Sequence, residues 1–244
     1  MQNKFACLTY HAIGEGSNQY ELGDRQLRTQ LAFLHDENYT VEGFEELEGR
    51  LQSAQAFPAR YVVLTVDDGR QSAMVFADTL EEHSFRGTFF LTRDWCMKRS
   101  GFIRRADIRE LRRRGFSVGT HGSTHRALTF LPRERCVAEL SESHQWLEDA
   151  LGEQVRYMAA PGGFVNRNVL NLAYEVGYSL VGTCEERVNS ASTLKLPGTV
   201  NRVNVRRHFS LHDFRRIVES DPGFYLRRRL RSALLWLPKR VLSR

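Results

Sequence analysis

Segments with the pattern of strands and segments with the pattern of helices alternate about seven times along this chain, which limits its fold. Residues 61–66 and 86–92 are rich in β-branched and aromatic side chains, as buried strands are. Residues 132–151 have the apolar spacing of a long helix. Strands joined by helices run parallel to one another. The 244 residues therefore predict one α/β domain of barrel size.

The boundaries of several segments follow from local signals. The first strand is predicted at residues 5–11. Asp24 is the expected N-cap of the first helix, because a carboxylate there accepts a hydrogen bond from a first-turn N–H. Residues 41–51 are predicted as a second helix, and residues 199–205 as the last strand.

Polar side chains follow the predicted strands. Asp67 and Asp68 end the apolar run, where two carboxylates are costly to bury without a cation. His121 and His125, four residues apart, follow another predicted strand. One carboxylate and two imidazoles suit a divalent metal, most simply zinc, and the second carboxylate is then free to act as a base. Because the carboxyl ends of parallel strands share one face, we expect these side chains to meet, together with His11.

Each motif alone also has a purely structural explanation. An Asp-Gly pair such as Asp68-Gly69 commonly forms a turn. Loop histidines are often held by hydrogen bonds to the backbone, and residues 161–163, Pro-Gly-Gly, form a turn in many proteins. The functional interpretation therefore depends on the motifs occurring together.

Together these motifs resemble those of the NodB-type polysaccharide deacetylases, carbohydrate esterase family 4. Residues 65–69 (Thr-Val-Asp-Asp-Gly) look like the first motif of that family, residues 120–125 (Thr-His-Gly-Ser-Thr-His) like the second, and residues 161–163 like the core of the third. The resemblance covers roughly residues 5–206. It implies a distorted (β/α) barrel and metal-dependent hydrolysis of an N-acetyl, sometimes O-acetyl, group on a sugar.

The resemblance also implies roles for individual residues. Asp68, His121 and His125 would hold the metal, and Asp67 would be the base. The expected metal is zinc, with cobalt, nickel, manganese or iron as alternatives. The backbone N–H of Gly162 is the expected donor to the tetrahedral oxyanion.

The general acid is assigned less directly. Family members usually take it from a late histidine that follows a leucine, and here His212 follows a leucine, with His208 nearby. Some relatives instead end an early strand in Tyr-His, as this chain does at His11. We rank His11 first, His208 second and His212 third.

The chain departs from the family pattern at two places. The arginine that usually stands two residues before the third-motif proline and braces the base is Ala159 here. The fourth motif, an Asp-rich segment ending in Trp, has no counterpart. Three polar residues near strand ends could line a sugar groove, but they are interpreted in the first place as surface or structural residues: Asn166, Asn201 and Arg202.

The C-terminal end carries most of the positive charge. Residues 206–244 contain 11 Lys or Arg against 3 Asp or Glu, whereas the whole chain has a net charge of +6. Residues 224–244 repeat leucine or valine every three or four positions and are predicted as a basic amphipathic helix after a barrel domain at residues 1–223. That helix is expected either to contact an anionic membrane surface or to pack on the barrel. Nucleic-acid binding is not favoured, because no recognised module accompanies the charge.

Composition and patterning bound the remaining choices. With 41% hydrophobic and 26% charged residues the chain is not expected to be disordered. There is no signal-peptide pattern, no run of 18 apolar residues and no CxxC spacing among the cysteines, so we predict a cytoplasmic protein, peripheral at the inner membrane surface if the tail binds lipid. The predicted function is deacetylation of a polysaccharide, a glycan or a lipid-linked sugar precursor. The alternatives are a non-catalytic carbohydrate-binding relative and an amidohydrolase acting on a non-sugar C–N bond. A third is a peripheral membrane or nucleic-acid scaffold organised by the C-terminal segment. The oligomeric state is not predicted.

Overall fold

The computed structural model describes residues 4–16, 18–53 and 55–228. The strands are β1 (Lys4–Tyr10), β2 (Ala12–Ile13), β3 (Glu21–Leu22), β4 (Thr40–Glu42), β5 (Tyr61–Val66), β6 (Thr88–Leu91), β7 (Ser117–Thr120), β8 (Tyr157–Ala159), β9 (Leu180–Thr183), β10 (Asn189–Ser190), β11 (Gly198–Asn201) and β12 (Val203–Asn204). The α-helices are α1 (Asp24–Asp36), α2 (Phe44–Gln52), α3 (Ser72–Glu82), α4 (Arg93–Lys98), α5 (Arg105–Arg113), α6 (Arg133–Leu151), α7 (Arg167–Val176) and α8 (Leu211–Val218). Short 3₁₀ turns lie at Leu128–Phe130 and Pro161–Gly163.

Seven parallel strands form the body of the sheet, in the order β1-β5-β6-β7-β8-β9-β11. Helices occupy the crossovers from β1 to β9, as is usual for parallel pairing, whereas the connection from β9 to β11 contains the short strand β10. The predicted α/β fold with about seven parallel strands is confirmed.

One extended segment nearly closes the sheet into a barrel. The β11 residues of this segment, 198–201, pair with β9, and its β12 residues pair in parallel with β1. Arg202 lies between the two pairings. The Asn189 side chain accepts a hydrogen bond from the Asn201 N–H (2.9 Å) and donates one to the Asn201 carbonyl (2.8 Å). The segment predicted as one strand at residues 199–205 therefore contains parts of two strands. Of these, β11 pairs with β9 at one edge of the sheet and β12 pairs with β1 at the other.

Side chains alternate between the inside of the barrel and the layer under the helices. The interior cluster contains alternate residues of the strands, including Phe5, Cys7, Tyr61, Val63, Phe90, Tyr157, Ala159, Leu180 and Val200. The outer cluster takes the intervening residues, such as Leu64 and Met158, together with the apolar faces of the helices. Asp67 and Arg202 continue the inward alternation from Val63 and Val200. The inside of the barrel is therefore apolar at its amino end and polar at its carboxyl end.

Two local predictions are wrong. The segment predicted as a helix at residues 41–51 starts with β4, because Val41 pairs with Val62 of β5, and α2 begins only after Gly43. Asp24 does not cap α1: the N-cap is Gly23, and Asp24 is the first helical residue. There its carboxylate still favours the helix N-terminus electrostatically.

The beginning of the basic C-terminal segment packs on the barrel. Residues 222–228 are helical, and the side chains of Phe224 and Tyr225 are buried in the outer core. Leu226, the first residue of the predicted apolar stripe, is 56% exposed. The remainder of the predicted amphipathic helix, residues 229–244, lies outside the described residues. Within the described part of the chain, no helix has the length and apolar character that crossing a membrane requires.

Candidate active site

Asp67 and Asp68 lie where β5 ends and the chain turns. The six residues of β5 are all buried, and the Asp67 N–H extends the pairing by donating to the Tyr10 carbonyl (2.8 Å). Asp68 and Gly69 both have left-handed backbones, with φ of 78° and 80°. Asp tolerates this conformation better than most residues do. A Cβ at position 69 would lie 2.9 Å from Cys96 Sγ, so glycine is required there. The turn lets adjacent carboxylates face one cavity.

Asp67 is held by a buried arginine. Arg202 Nη1 and Nη2 donate to the two carboxylate oxygens at 2.7 and 2.9 Å, and both side chains are almost fully buried. Burial alone would raise the pKa of Asp67, but the Arg202 charge and then the His121 imidazole outweigh it, so the pKa lies below its usual value. Asp67 is therefore an oriented carboxylate.

His121 and His125 approach Asp68 from the end of β7. His121 Nδ1 is 2.8 Å from the Ala159 carbonyl, which can only accept, so Nδ1 carries the proton and Nε2 is free. Burial lowers the pKa of His121 and favours this neutral form. The His125 ring stacks on Trp95 with centroids 4.5 Å apart.

The arrangement fits a divalent cation. Asp68, His121 and His125 each offer one ligand atom, and these atoms lie within 4.8 Å of one another. Asp68 Oδ1 is 3.4 Å from His125 Nε2 and 3.7 Å from His121 Nε2. This oxygen is buried and has no hydrogen-bond partner among the described residues. Burial would raise the pKa of Asp68, but the neighbouring histidines lower it to about 2. A buried, unpartnered carboxylate oxygen between two imidazole nitrogens is a donor set that zinc prefers.

A cavity of about 240 Å³ opens above these residues. Asp67, Asp68, His121, His125 and His11 contribute to its lining. The His11 ring lies 4.9 Å from the Tyr20 ring, and its Nδ1 is buried without a partner in the described part of the chain. The cavity has room for an acetyl group and the atoms next to it.

The other two histidines considered as acids lie elsewhere. His208 and His212 are both exposed, and within the described residues neither one lines this cavity. His208 packs edge-on against Phe209, and His212 is in the first turn of α8. The structure thus brings only His11 of the three next to the carboxylates.

The Pro-Gly-Gly segment forms one wall of the cavity. Gly162 is exposed to it and has a left-handed backbone, with φ of 67°. A Cβ at Gly163 would fall 2.2 Å from Cys184 Cβ, a distance that no side chain tolerates. Glycine at positions 162 and 163 therefore allows other atoms to come close to the backbone, namely Cys184 at Gly163 and the contents of the cavity at Gly162. A simple turn would not need such close contacts.

Arg202 is the partner of Asp67 that the sequence did not identify. Of the positions considered for it, the surface is wrong: Arg202 is fully buried and pairs with Asp67, which Ala159 cannot do. A signal was present, because Arg202 is two residues after the inward-facing Val200. Gly182 on the neighbouring strand makes room for it, since a Cβ there would lie 2.7 Å from Arg202 Nε.

The two asparagines interpreted with Arg202 have structural contacts. The Asn166 side chain accepts from the Val169 N–H and caps α7. The Asn201 backbone bonds the Asn189 side chain at the closure of the barrel. Neither residue is among the described residues that line the cavity above Asp67 and Asp68.

Comparisons with known sequences agree with this geometry. A family model described as "Polysaccharide deacetylase" matches residues 54–181, just over half of the chain. The peptidoglycan-N-acetylglucosamine deacetylase PgdA of Listeria monocytogenes is 29% identical over 122 residues, which are 49% of this chain and 24% of PgdA. The matched segment thus spans about a quarter of that relative.

Solved structures share the fold over most of the chain. The Streptococcus pyogenes deacetylase PplD superposes with a TM-score of 0.80 at 22% identity, covering 89% of this chain and 99% of PplD. IcaB from Ammonifex degensii superposes with a TM-score of 0.76 at 23% identity, covering 89% of this chain and 97% of IcaB. At these identities the likeness shows the fold alone.

Proposed function

Because the chain belongs to the polysaccharide deacetylase family, we propose that it hydrolyses an N-acetyl group on a sugar, using Asp67 as the base beside a metal centre. The metal ligands are Asp68, His121 and His125, and zinc is the first choice of cation. One observation carries the proposal: the unpartnered Asp68 oxygen faces two imidazole nitrogens beside a separately braced Asp67.

The substrate is an N-acetylated hexosamine within a glycan or a lipid-linked sugar precursor. The relative PgdA is named for N-acetylglucosamine in peptidoglycan. The cavity beside Asp67 is small, so it would admit the acetyl group while the rest of the glycan stays outside. The basic C-terminal segment, residues 224–244, would bring the enzyme to an anionic membrane surface on the cytoplasmic side if it binds lipid.

The Asp67 carboxylate and a divalent cation would act together on the acetyl group and on the attacking water. A divalent cation held by the three ligands would polarise the acetyl carbonyl and make nearby water more acidic. Asp67 would accept the proton of the attacking water, since its carboxylate is ionised and faces the same cavity. Arg202 would keep that carboxylate oriented and ionised.

Two further groups would complete the reaction. The Gly162 N–H would donate to the oxyanion of the tetrahedral intermediate, a contribution of about 3 kcal/mol in comparable sites. His11 would donate a proton to the departing amine, because an unprotonated amine is a poor leaving group. A positioned acid or base typically raises the reaction rate by a factor of about 100–10,000.

The test is release of acetate before and after metal removal. We would incubate the protein with N-acetylglucosamine oligomers and, in parallel, with N-acetylated non-sugar amines, then repeat with chelated and zinc-restored protein. We expect acetate from the sugars, loss on chelation and recovery with zinc. Acetate release from the non-sugar amines alone would identify an amidohydrolase of another class, and zinc binding without any acetate release would identify a non-catalytic relative.

A further inference from the structure

The metal ligands His121 and His125 sit on one short loop, residues 121–125, which we call the histidine loop. It passes through two left-handed residues, Gly122 with φ of 73° and His125 with φ of 63°. For a histidine this backbone conformation is unfavourable by roughly 1 kcal/mol, so surrounding contacts must impose it. The loop conformation that brings the imidazoles to Asp68 is therefore maintained from outside the loop.

One buried carboxylate makes most of those contacts. Glu139, on α6, is 8% exposed. Its Oε2 accepts from the Ser123 N–H and the Thr124 N–H, both at 2.8 Å, and its Oε1 accepts from the Thr124 hydroxyl. The Ser123 hydroxyl donates to the Glu139 backbone carbonyl (3.2 Å). A Cβ at Gly122 would lie 3.3 Å from Oε2, so glycine allows the carboxylate to approach.

Within residues 4–16, 18–53 and 55–228, every hydrogen bond to this carboxylate comes from the histidine loop. Among the described residues no lysine or arginine forms an ion pair with Glu139. Hydrogen bonds to an ionised acceptor are about twice as strong as neutral ones. If the Glu139 carboxylate separated from the loop, it would stay buried without these hydrogen bonds, which is energetically costly. We therefore expect Glu139 and the histidine loop to keep their relative positions.

Helix α4 fixes the opposite side of the loop. The Arg93 N–H donates to the Gly122 carbonyl (3.1 Å), and the Asp94 N–H donates to the Ser123 carbonyl (2.9 Å). Trp95, from the same helix, stacks on the His125 ring. With α4 holding the carbonyls and Glu139 holding the N–H groups, the loop has little freedom between its two histidines.

We propose that Glu139 is a positioning residue that keeps the histidine loop in its metal-binding conformation before the metal arrives. This inference rests on the metal centre proposed above. Groups that orient metal ligands typically change metal affinity 10–100-fold when they are replaced. Glutamine at position 139 keeps the size of the side chain but removes its charge. Its amide oxygen would accept more weakly from the Ser123 and Thr124 N–H groups, and its N–H₂ group would pair with the Thr124 hydroxyl only if that hydroxyl turned to accept.

The chain offers a matched control in Glu48. This second buried carboxylate lies on α2 and accepts from Arg156 (2.6 and 2.9 Å) and from the Tyr157 hydroxyl (2.8 Å). Its partners stand at the amino end of β8, away from the site at the carboxyl ends. Glu48→Gln should therefore cost stability without changing the histidine loop.

The experiment measures the dissociation constant of Zn²⁺ by competition with a chromogenic chelator. We expect Glu139→Gln to raise this constant at least about tenfold and Glu48→Gln to change it less than about twofold. An unchanged constant in folded Glu139→Gln, or an equal rise in both variants, would overturn the positioning role. Absence of zinc binding in the wild type would instead overturn the metal centre itself, and the two failures are thus distinguishable.

Thr124→Val provides a milder test if Glu139→Gln does not fold. It removes one hydroxyl donor and leaves both N–H donors on the carboxylate. Since a single hydrogen bond to a charged group is lost, we expect a rise in the zinc dissociation constant of about threefold or more. No rise in this variant would also overturn the proposal.

Discussion

The two ends of the barrel each contain a carboxylate bound by an arginine through two hydrogen bonds. At the carboxyl end Arg202 holds Asp67, and both side chains are almost fully buried. At the amino end Arg156 holds Glu48, and the arginine side chain is 44% exposed. The hydrogen bonds are similar in length, so chemistry alone does not distinguish the two pairs.

Their surroundings distinguish them. The Glu48 carboxylate receives a third hydrogen bond from the Tyr157 hydroxyl and joins α2 to β8. The Asp67 carboxylate faces a cavity, 3.7 Å from His121 Nε2 and next to the unpartnered oxygen of Asp68. A buried ion pair contributes little net stability, because desolvation offsets the attraction. The pair at the carboxyl end is thus better explained by what the carboxylate does in the cavity.

Removing the buried arginine should have the largest effect on the comparison. In Arg202→Met the Asp67 charge remains buried without its partner, which typically destabilises a protein by about 3–5 kcal/mol. Acetate release should also fall, since the base loses its orientation. Urea denaturation and acetate assays on the same preparation check both effects. If this variant kept wild-type stability and activity, Arg202 would not be the residue that orients Asp67.

Replacing His11, the proposed acid, should affect activity without comparable loss of stability. We expect His11→Gln to lower kcat/KM for an N-acetyl sugar by about 100-fold or more. His208→Gln and His212→Gln are the controls and should retain full activity. With 4-nitrophenyl acetate, whose leaving group departs without a proton, the His11→Gln loss should be much smaller. Equal losses on the amide and the ester would contradict the acid role.

Removing the arginine at the amino end should cost less. Arg156 is partly exposed, and Glu48 keeps its hydrogen bond to Tyr157, so Arg156→Met should destabilise the fold by about 1 kcal/mol. Acetate release and zinc affinity should be unchanged. A large loss of activity in this variant would remove the distinction between the two ends.

The smallest expected effect is a dependence on pH at the amino end. Burial would raise the pKa of Glu48, but its hydrogen bonds from Arg156 and its other partners lower the pKa below 4.5. The ionised carboxylate therefore contributes stability above pH 4.5 that is lost as the pH falls through the folded-state pKa. The difference in unfolding free energy between wild type and Glu48→Gln should accordingly shrink below pH 4.5. A difference that grows in that range would contradict this sign.

The sequence predicts residues that act where strands end, because a short motif shows both the apolar run and the polar residues after it. This pattern identifies four residues in the sequence: Asp67, Asp68, His121 and His125. The structure brings their side chains close to one another. The parallel sheet is predicted by the alternation of strand and helix segments, because each segment has its own local sequence pattern. The structure confirms this sheet.

Contacts between distant segments were not predictable in that way. Arg202 is 135 residues from Asp67, and its inward direction becomes clear only when residues 198–204 close the barrel. The helix predicted at residues 41–51 misses β4, because the pairing of Val41 with β5 leaves no local signal in the sequence. The contacts of Glu139 were not predictable for the same reason: Glu139 is on α6, whereas its hydrogen-bond donors are on the histidine loop.

The central claim is that Asp67 and Asp68 are neighbours with different tasks. The most direct test is to measure bound zinc and acetate release in wild type and in Asp67→Asn. We predict that Asp67→Asn binds zinc as the wild type does and releases acetate at least about 100-fold more slowly. Undiminished acetate release by Asp67→Asn, or loss of its zinc together with its activity, would contradict the division of roles.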